Sequence, residues 1–313
     1  MMKLLHANSI ACLALIGLVS VVASVHVDIE CNKRNCGGPV KYYESLGCSP
    51  VYKNPGDCCP VKYNCDHLKA RDPNKCYVNG KAYSMGEELK VEDRAPCDMG
   101  CTCQNSYLDR GAMSFICAIV DCFDEASPGC YRKHNPDECC GGPQVCPDSP
   151  DQIPTCVVNG KTYKDGDYFE HPVDERSCYC GPDFSMEKID QFCKHANRSY
   201  CDPEFNHRSA VQGHCAPVYY YEQSLLSSCN IAYRCQSPKD KIINVSKSTN
   251  PEDDTEEMKC RYGDMLLKRG EELNQAVNYD SVCVRCRCDV PPLLSCQRLS
   301  NEECDVREHP NFD

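Results

Sequence analysis

The chain begins with a short basic start at Lys3, followed by an apolar run from Ile10 to Val22 and the small residues Ala23 and Ser24. That layout predicts a secretory signal peptide over residues 1–24, cleaved near Ala23 or Ser24. No later segment approaches the roughly 20 consecutive apolar residues that span a bilayer, so the pattern predicts a soluble, secreted chain. Beyond it, apolar and polar positions alternate in short bursts. Residues 76–89 read "CYVNGKAYSMGEEL", residues 156–169 "CVVNGKTYKDGDYF" and residues 260–273, more loosely, "CRYGDMLLKRGEEL". Asn79-Gly80 and Asn159-Gly160 supply the two positive-φ residues of a type I′ turn between β-prone flanks, which predicts a hairpin. In every copy a large residue follows the cysteine by seven positions (Tyr83, Tyr163, Leu267), and a glycine by ten (Gly86, Gly166, Gly270), with an acidic residue next. The glycines mark a second turn. Further on, "MSFICAIVDCF" (113–123) alternates like a strand, with Ile116, Ala118 and Val120 on one face and Phe115 and Ile119 on the other. On that reading Cys117 and Cys122 tie the strand on both sides.

Composition changes this picture from strands to stapled modules. There are 31 cysteines in 313 residues, and Cys12 leaves with the signal, so 30 remain. An even number at this density in an exported chain predicts a disulfide framework rather than zinc sites, the alternative for clusters such as "CVRC" at 283–286. With cysteine swelling the hydrophobic fraction and no Trp, the chain cannot build one large core. The expected fold class is therefore small, disulfide-rich and mostly β. Its tandem modules are short antiparallel hairpins or sheets with irregular, cysteine-stapled second halves. A formal net charge of -12 argues against nucleic acid, heparin-like polymers and acidic membranes as partners.

The ordered cysteines Cys76, Cys97, Cys101, Cys103, Cys117, Cys122, Cys130, Cys139, Cys140 and Cys146, with the NGK-x-Y-x-x-G opening and the closing CC-x5-C, resemble the von Willebrand factor type C (chordin-like) module. The likeness covers nearly all of the mature chain outside one linker. The first cluster departs from it by one residue, being C-x3-C-x-C, whereas "CVRCRC" at 283–288 keeps C-x2-C-x-C. The boundaries that follow are a half module over 25–68, a complete ten-cysteine module over 74–150, an eight-cysteine module over 154–236, an acidic polar linker over 237–259, and a half module with tail over 260–313. The segments 66–75 and 147–155 read as short polar linkers.

The resemblance implies the pairs Cys76–Cys103, Cys97–Cys139, Cys101–Cys117, Cys122–Cys140 and Cys130–Cys146 in the complete module. In the eight-cysteine module it implies Cys156–Cys180, Cys178–Cys193, Cys201–Cys229 and Cys215–Cys235. In the half modules it implies Cys36–Cys59, Cys48–Cys65, Cys260–Cys288 and Cys286–Cys296. Cys31, Cys58, Cys283 and Cys304 are then left over. Pairing within each half gives Cys31–Cys58 and Cys283–Cys304, and a Cys58–Cys283 bridge between chains is the alternative. The eight-cysteine module carries Ser228 where a doublet cysteine would stand, and Glu175, Arg176 and Ser177 where its partner would be. One bridge is thus lost at both ends, and this module is expected to be the hinged one.

No arrangement of catalytic residues stands out. Among the nine histidines there is no H-E-x-x-H, and no G-x-S-x-G elbow, phosphate loop or EF-hand loop occurs. The expectation is a non-enzyme with no cofactor and no metal site. Asn197 and Asn244 lie in N-x-S sequons and are expected to be glycosylated. The resemblance implies an extracellular binder of bone morphogenetic proteins or other growth factors of the transforming growth factor β class, acting by sequestration. A matrix or structural role, a secreted defence role and protease inhibition are the alternatives. Phe115, Ile116, Ala118, Ile119 and Val120 of the complete module are the candidate partner-binding residues.

Overall fold

In the computed structural model, residues 31, 36–123, 125–171, 176–195, 201–243, 255–275, 282–305 and 307 are described. The expected signal peptide and both sequons, Asn197 and Asn244, lie outside them. The chain divides into two units, residues 1–32 and 33–313, and the second holds every described helix and strand. No described helix is long and apolar enough to cross a membrane.

The hairpins form where the repeat predicts them. Cys76–Val78 pairs with Lys81–Tyr83, Thr155–Val158 with Lys161–Lys164, and Lys259–Tyr262 with Met265–Lys268, all antiparallel. Asn79 (φ 50) and Gly80 (φ 76) make the first tight turn, and Asn159 (φ 50) and Gly160 (φ 77) its copy. The later glycines also turn with positive φ, at 82 for Gly86, 88 for Gly166 and 87 for Gly270. The acidic residue after each has a reason. Glu87, Asp167 and Glu271 accept the backbone N–H of Ser84, Lys164 and Lys268 at 2.9, 2.8 and 2.7 Å, closing the turn with a side chain. Each of these glycines then donates its N–H to the carbonyl of Cys103, Cys180 or Cys288, so hairpin and cysteine cluster share one register.

The modules are small, and their cores are completed across module boundaries. In the complete module, Cys76, Val78, Tyr83, Leu89, Met113 and Phe115 pack with Phe205, which comes from the eight-cysteine module. The closing half of that eight-cysteine module also joins the last half module in one six-stranded sheet. Its order is Ala232–Arg234, Ala216–Tyr219, Ser295–Arg298, Val284–Arg287, Glu272–Leu273 and Ile242–Ile243. Only the contact of Ala216–Tyr219 with Ser295–Arg298 is parallel. The closing half of the complete module turns instead to the hairpin half of the eight-cysteine module. There Tyr131 donates to Asp165 at 2.6 Å, His134 stacks on Tyr179 at 5.1 Å, and Lys194 pairs with Asp137 at 2.7 Å.

The two half modules meet as well. Tyr43, fully buried and stacked on Tyr63, donates its hydroxyl to the Val290 carbonyl at 2.6 Å and accepts the Leu293 N–H at 2.9 Å. The Tyr63 N–H reaches the Pro291 carbonyl at 2.8 Å. The described residues from 36 onward therefore interlock across module boundaries rather than standing as beads on linkers.

Three expectations are corrected by this packing. Residues 237–243 are not a free tether. Asp240 is buried against Arg234 at 2.6 Å and accepts from Tyr262 at 2.9 Å, and Ile242–Ile243 adds the edge strand of the large sheet. The 66–75 segment is likewise structured, with a 3₁₀ turn over Asp66–Ala70 followed by Arg71, which pairs with the buried Glu204 at 2.9 Å. Finally, the strand expected over 113–123 runs over Ala112–Ala118, so Cys122 lies beyond it and anchors the closing half through Cys140 instead.

Candidate binding surface

The long hairpin of the complete module, Met99–Ser106 with Ala112–Ala118, offers the expected partner-binding strand. Alternation turns Met113 and Phe115 inward and leaves Ile116 and Ala118 outward. Phe115 is 8% exposed and lies edge-on to Tyr83 at 5.2 Å and stacked on Phe205 at 5.1 Å. Its assignment to a partner surface is therefore corrected: the ring is core, because Phe205 covers the face that the strand alone left open. Ile119 does not share Phe115's face, since it lies past the strand end and is 97% exposed. Val120, also past the end, is half-buried. The residues that remain outward and accessible are Ile116, Ala118 and Ile119, with Met99 exposed directly across from Ala118.

At the far end of the hairpin a second apolar pair projects. Tyr107 and Leu108 are 86% and 79% exposed. The turn beneath them is rigid for a chemical reason. Asp109 is buried and accepts from the Ser114 hydroxyl at 2.6 Å, from the Ser209 N–H and from the Ser209 hydroxyl. Ser209 belongs to the Arg208–Gln212 helix of the next module, so a carboxylate from one module satisfies an otherwise open helix-start N–H of another. No signal in the sequence marks Asp109, since the contact spans modules.

Behind this surface the NGK-x-Y motif gains a role that its spacing did not disclose. Asn79, Lys81 and Tyr83 all converge on the carboxylate of Asp93, at 3.1, 2.7 and 2.6 Å. Burial by itself would raise the Asp93 carboxyl, but hydrogen bonds from Lys81, Tyr83 and Asn79 hold it below the usual carboxylate range. The phenol of Tyr83 is raised, first by burial and then by Asp93.

The scaffold under the surface is covalent. In all four modules the bridges join the pairs that the resemblance implies, from Cys36–Cys59 and Cys48–Cys65 through Cys97–Cys139 to Cys286–Cys296. Cys283 is bonded to Cys304, which leaves no room for a Cys58–Cys283 bridge between chains. Cys31 and Cys58 are each disulfide-bonded too. No family model matches this chain. No solved structure matches it either. The groups of three close sulfurs, Cys36 with Cys58 and Cys59 and Cys122 with Cys139 and Cys140, consist of oxidised cysteines and so offer no thiolate to a metal.

Proposed function

We propose that the protein is a secreted, non-enzymatic binder of an extracellular protein ligand, a growth factor of the transforming growth factor β class. Its modules are of the von Willebrand factor type C kind, and it acts by covering the surfaces through which the ligand meets its receptor. The observation that carries the reading is the rigid hairpin of the complete module. Its outer face presents Ile116, Ala118 and Ile119 to solvent, and its frame is locked by Cys101–Cys117 and Cys76–Cys103. Exposed apolar side chains on a preorganised element are what binding favours, because little ordering entropy is lost on contact. The interlocked body argues against the spacer alternative, which needs modules free to extend.

The test is surface binding of the purified, oxidised chain to a panel of dimeric growth factors, matrix polymers and serine proteases. A dissociation constant of about 1 μM or tighter for a growth factor is expected, weakened about tenfold by Ile116→Glu with Ile119→Glu, as two apolar contacts become buried charges. Absence of growth-factor binding at micromolar concentration overturns the reading.

A further inference from the structure

Away from that hairpin, a cleft of about 1370 Å³ opens where the first half module, the Arg208–Gln212 helix and the Lys259–Tyr262 strand come together. It exceeds the roughly 300–1,000 Å³ of small-molecule pockets and has room for a stretch of polypeptide. One wall is apolar, with Leu46, Leu68 and Val211. The Lys259–Tyr262 strand contributes a further part of the lining. Cys260 and Tyr262 of that strand are fully buried, so Lys259 and Arg261 share the face that looks into the cleft.

The charges of the cleft are unevenly satisfied. Lys62 pairs with Glu257, Lys69 with Asp66, and both Arg71 and Arg208 with Glu204. Lys259 and Arg261 form no ion pair with any described residue, and of the carboxylates on the same lining Glu256, which is exposed, is the one without a basic partner among the described residues. The half-buried His214 lies beside Arg261 on the same lining, and its pKa is lowered by burial first and then by Arg261, so it repels no cation and offers no negative charge. In a chain whose net charge is -12, two uncompensated cations on one wall of a cleft are a local reversal of sign.

We propose that this cleft binds an extended, acidic polypeptide segment. Side chains two apart on a strand stand roughly 7 Å from one another on one face, so Lys259 and Arg261 match carboxylates at alternate positions of an extended ligand. The residues between those carboxylates then have the apolar lining of Leu46, Leu68 and Val211 to pack against. That alternation of acidic and apolar is a property of polypeptide and not of a sulfated glycan, whose dense charge the molecule's own negative field also repels. The site is built from three separate parts of the chain and exists only while the two half modules are docked.

The experiment uses the full oxidised chain and a fluorescein-labelled peptide of about ten residues alternating Glu and Leu, long enough to run along the strand and past its ends. Its Lys–Leu counterpart and a heparin oligosaccharide are the comparison arms, and fluorescence anisotropy is the readout. The Glu–Leu peptide is expected to bind in the micromolar range. Lys259→Glu with Arg261→Glu should weaken it about tenfold. Ile116→Glu on the growth-factor face should leave it unchanged, which separates this site from the proposed function. Where the double reversal does not fold, as judged by free thiols and circular dichroism, Lys259→Gln with Arg261→Gln takes its place, with about threefold weakening expected. Equal binding by the variants, equal binding of the Lys–Leu peptide, or binding of heparin without the Glu–Leu peptide each overturns the proposal.

Discussion

The complete module and the eight-cysteine module after it carry the same hairpin frame, the same N-G turn and the same turn-closing carboxylate. They differ in what covers the hairpin. In the complete module the covering residue, Phe205, arrives from the next module. In the eight-cysteine module Phe184 and Phe192 come from its own 181–192 segment and close the core around Phe169 and Cys178. The bridge pattern differs in step. Cys97–Cys139 holds the two halves of the complete module together, whereas the position of Ser228 and its missing partner leaves the halves of the next module untied. Its hairpin half then packs against the closing half of the module before it, while its closing half covers that module's hairpin through Phe205 and also joins the sheet of the last half module. The expected hinge is thus a seam between two packing partners. A frame this small cannot bury enough apolar surface alone, so each copy completes its core from whatever its bridges leave within reach.

The largest test of that contrast is to untie the complete module. Cys97→Ser with Cys139→Ser opens a loop with a sequence separation of 42. The chain-entropy argument gives a loss of about 4 kcal/mol for a loop of this size. Urea unfolding followed at the complete module is expected to shift by that order. A much smaller shift would mean that packing against the next module already holds the closing half. The converse change, Ser177→Cys with Ser228→Cys, is expected to leave two thiols reactive toward a maleimide, because the two halves pack against different parts of the neighbouring modules. A new bridge there would break the comparison.

Next in size is the covering residue itself. Phe205→Ala removes a buried ring from the core of the complete module and should cost about 3 kcal/mol. The loss is expected to appear in amide exchange of Tyr77 and Val78, although the substituted residue belongs to the other module. Phe184→Ala should cost less, since its ring is only partly buried, and should leave those amides protected. If both substitutions act only within their own modules, the cores are not shared.

The repeat glycine gives a finer reading. Gly86 and Gly166 occupy equivalent turns with φ of 82 and 88. A methyl group at Gly86 meets nothing, but at Gly166 it would stand 2.3 Å from the Arg132 carbonyl of the preceding module. Gly86→Ala is therefore expected to cost about 1 kcal/mol from backbone strain alone. Gly166→Ala should cost about twice that, as the seam must also give way. Equal thermal shifts for the two would remove the seam.

Much of this was legible in the residues, and the limit has a physical form. Hairpins, turns and cysteine partners are written locally: Asn79-Gly80 sets its own φ values, and the cysteine order carries the pairing. The burial of Phe115 was not legible, because a lone strand does not say which face is wet, and the deciding ring is on a different module. The role of Asp93 is not written in the sequence, because its three partners identify it only once the hairpin has folded back on it. Asp109 bonds Ser209, and Tyr43 bonds Val290 and Leu293, over sequence distances at which no periodicity survives. The candidate surface shrank for the same reason, from five residues of one strand to the outward Ile116 and Ala118 and the projecting Ile119.

The smallest expected effect concerns acid. Asp93 sits under the hairpin of the complete module with a carboxyl held below its ordinary range: burial opposes this, and hydrogen bonds from Lys81, Tyr83 and Asn79 prevail. A carboxyl whose folded pKa lies below the unfolded value, about 3.9, stabilises the fold fully above that value and loses its contribution as pH falls through the folded one. In the eight-cysteine module Lys161 lies over the ring of Tyr163 at 4.8 Å instead of meeting a described carboxylate, so the Lys81–Asp93 contact has no counterpart there among the described residues. Acidification below about pH 4 should therefore loosen the first hairpin before the second. Asp240, depressed in the same sense within the large sheet, makes a global denaturation curve ambiguous, so the readout must be local. Amide exchange at Tyr77 and Val78 compared with Val157 and Val158, at pH 3 and pH 6, isolates the two hairpins. With Asp93→Asn the difference between them should no longer change with pH. If it persists in that variant, the acid sensitivity resides elsewhere and the NGK-x-Y cluster is a packing device without an electrostatic part.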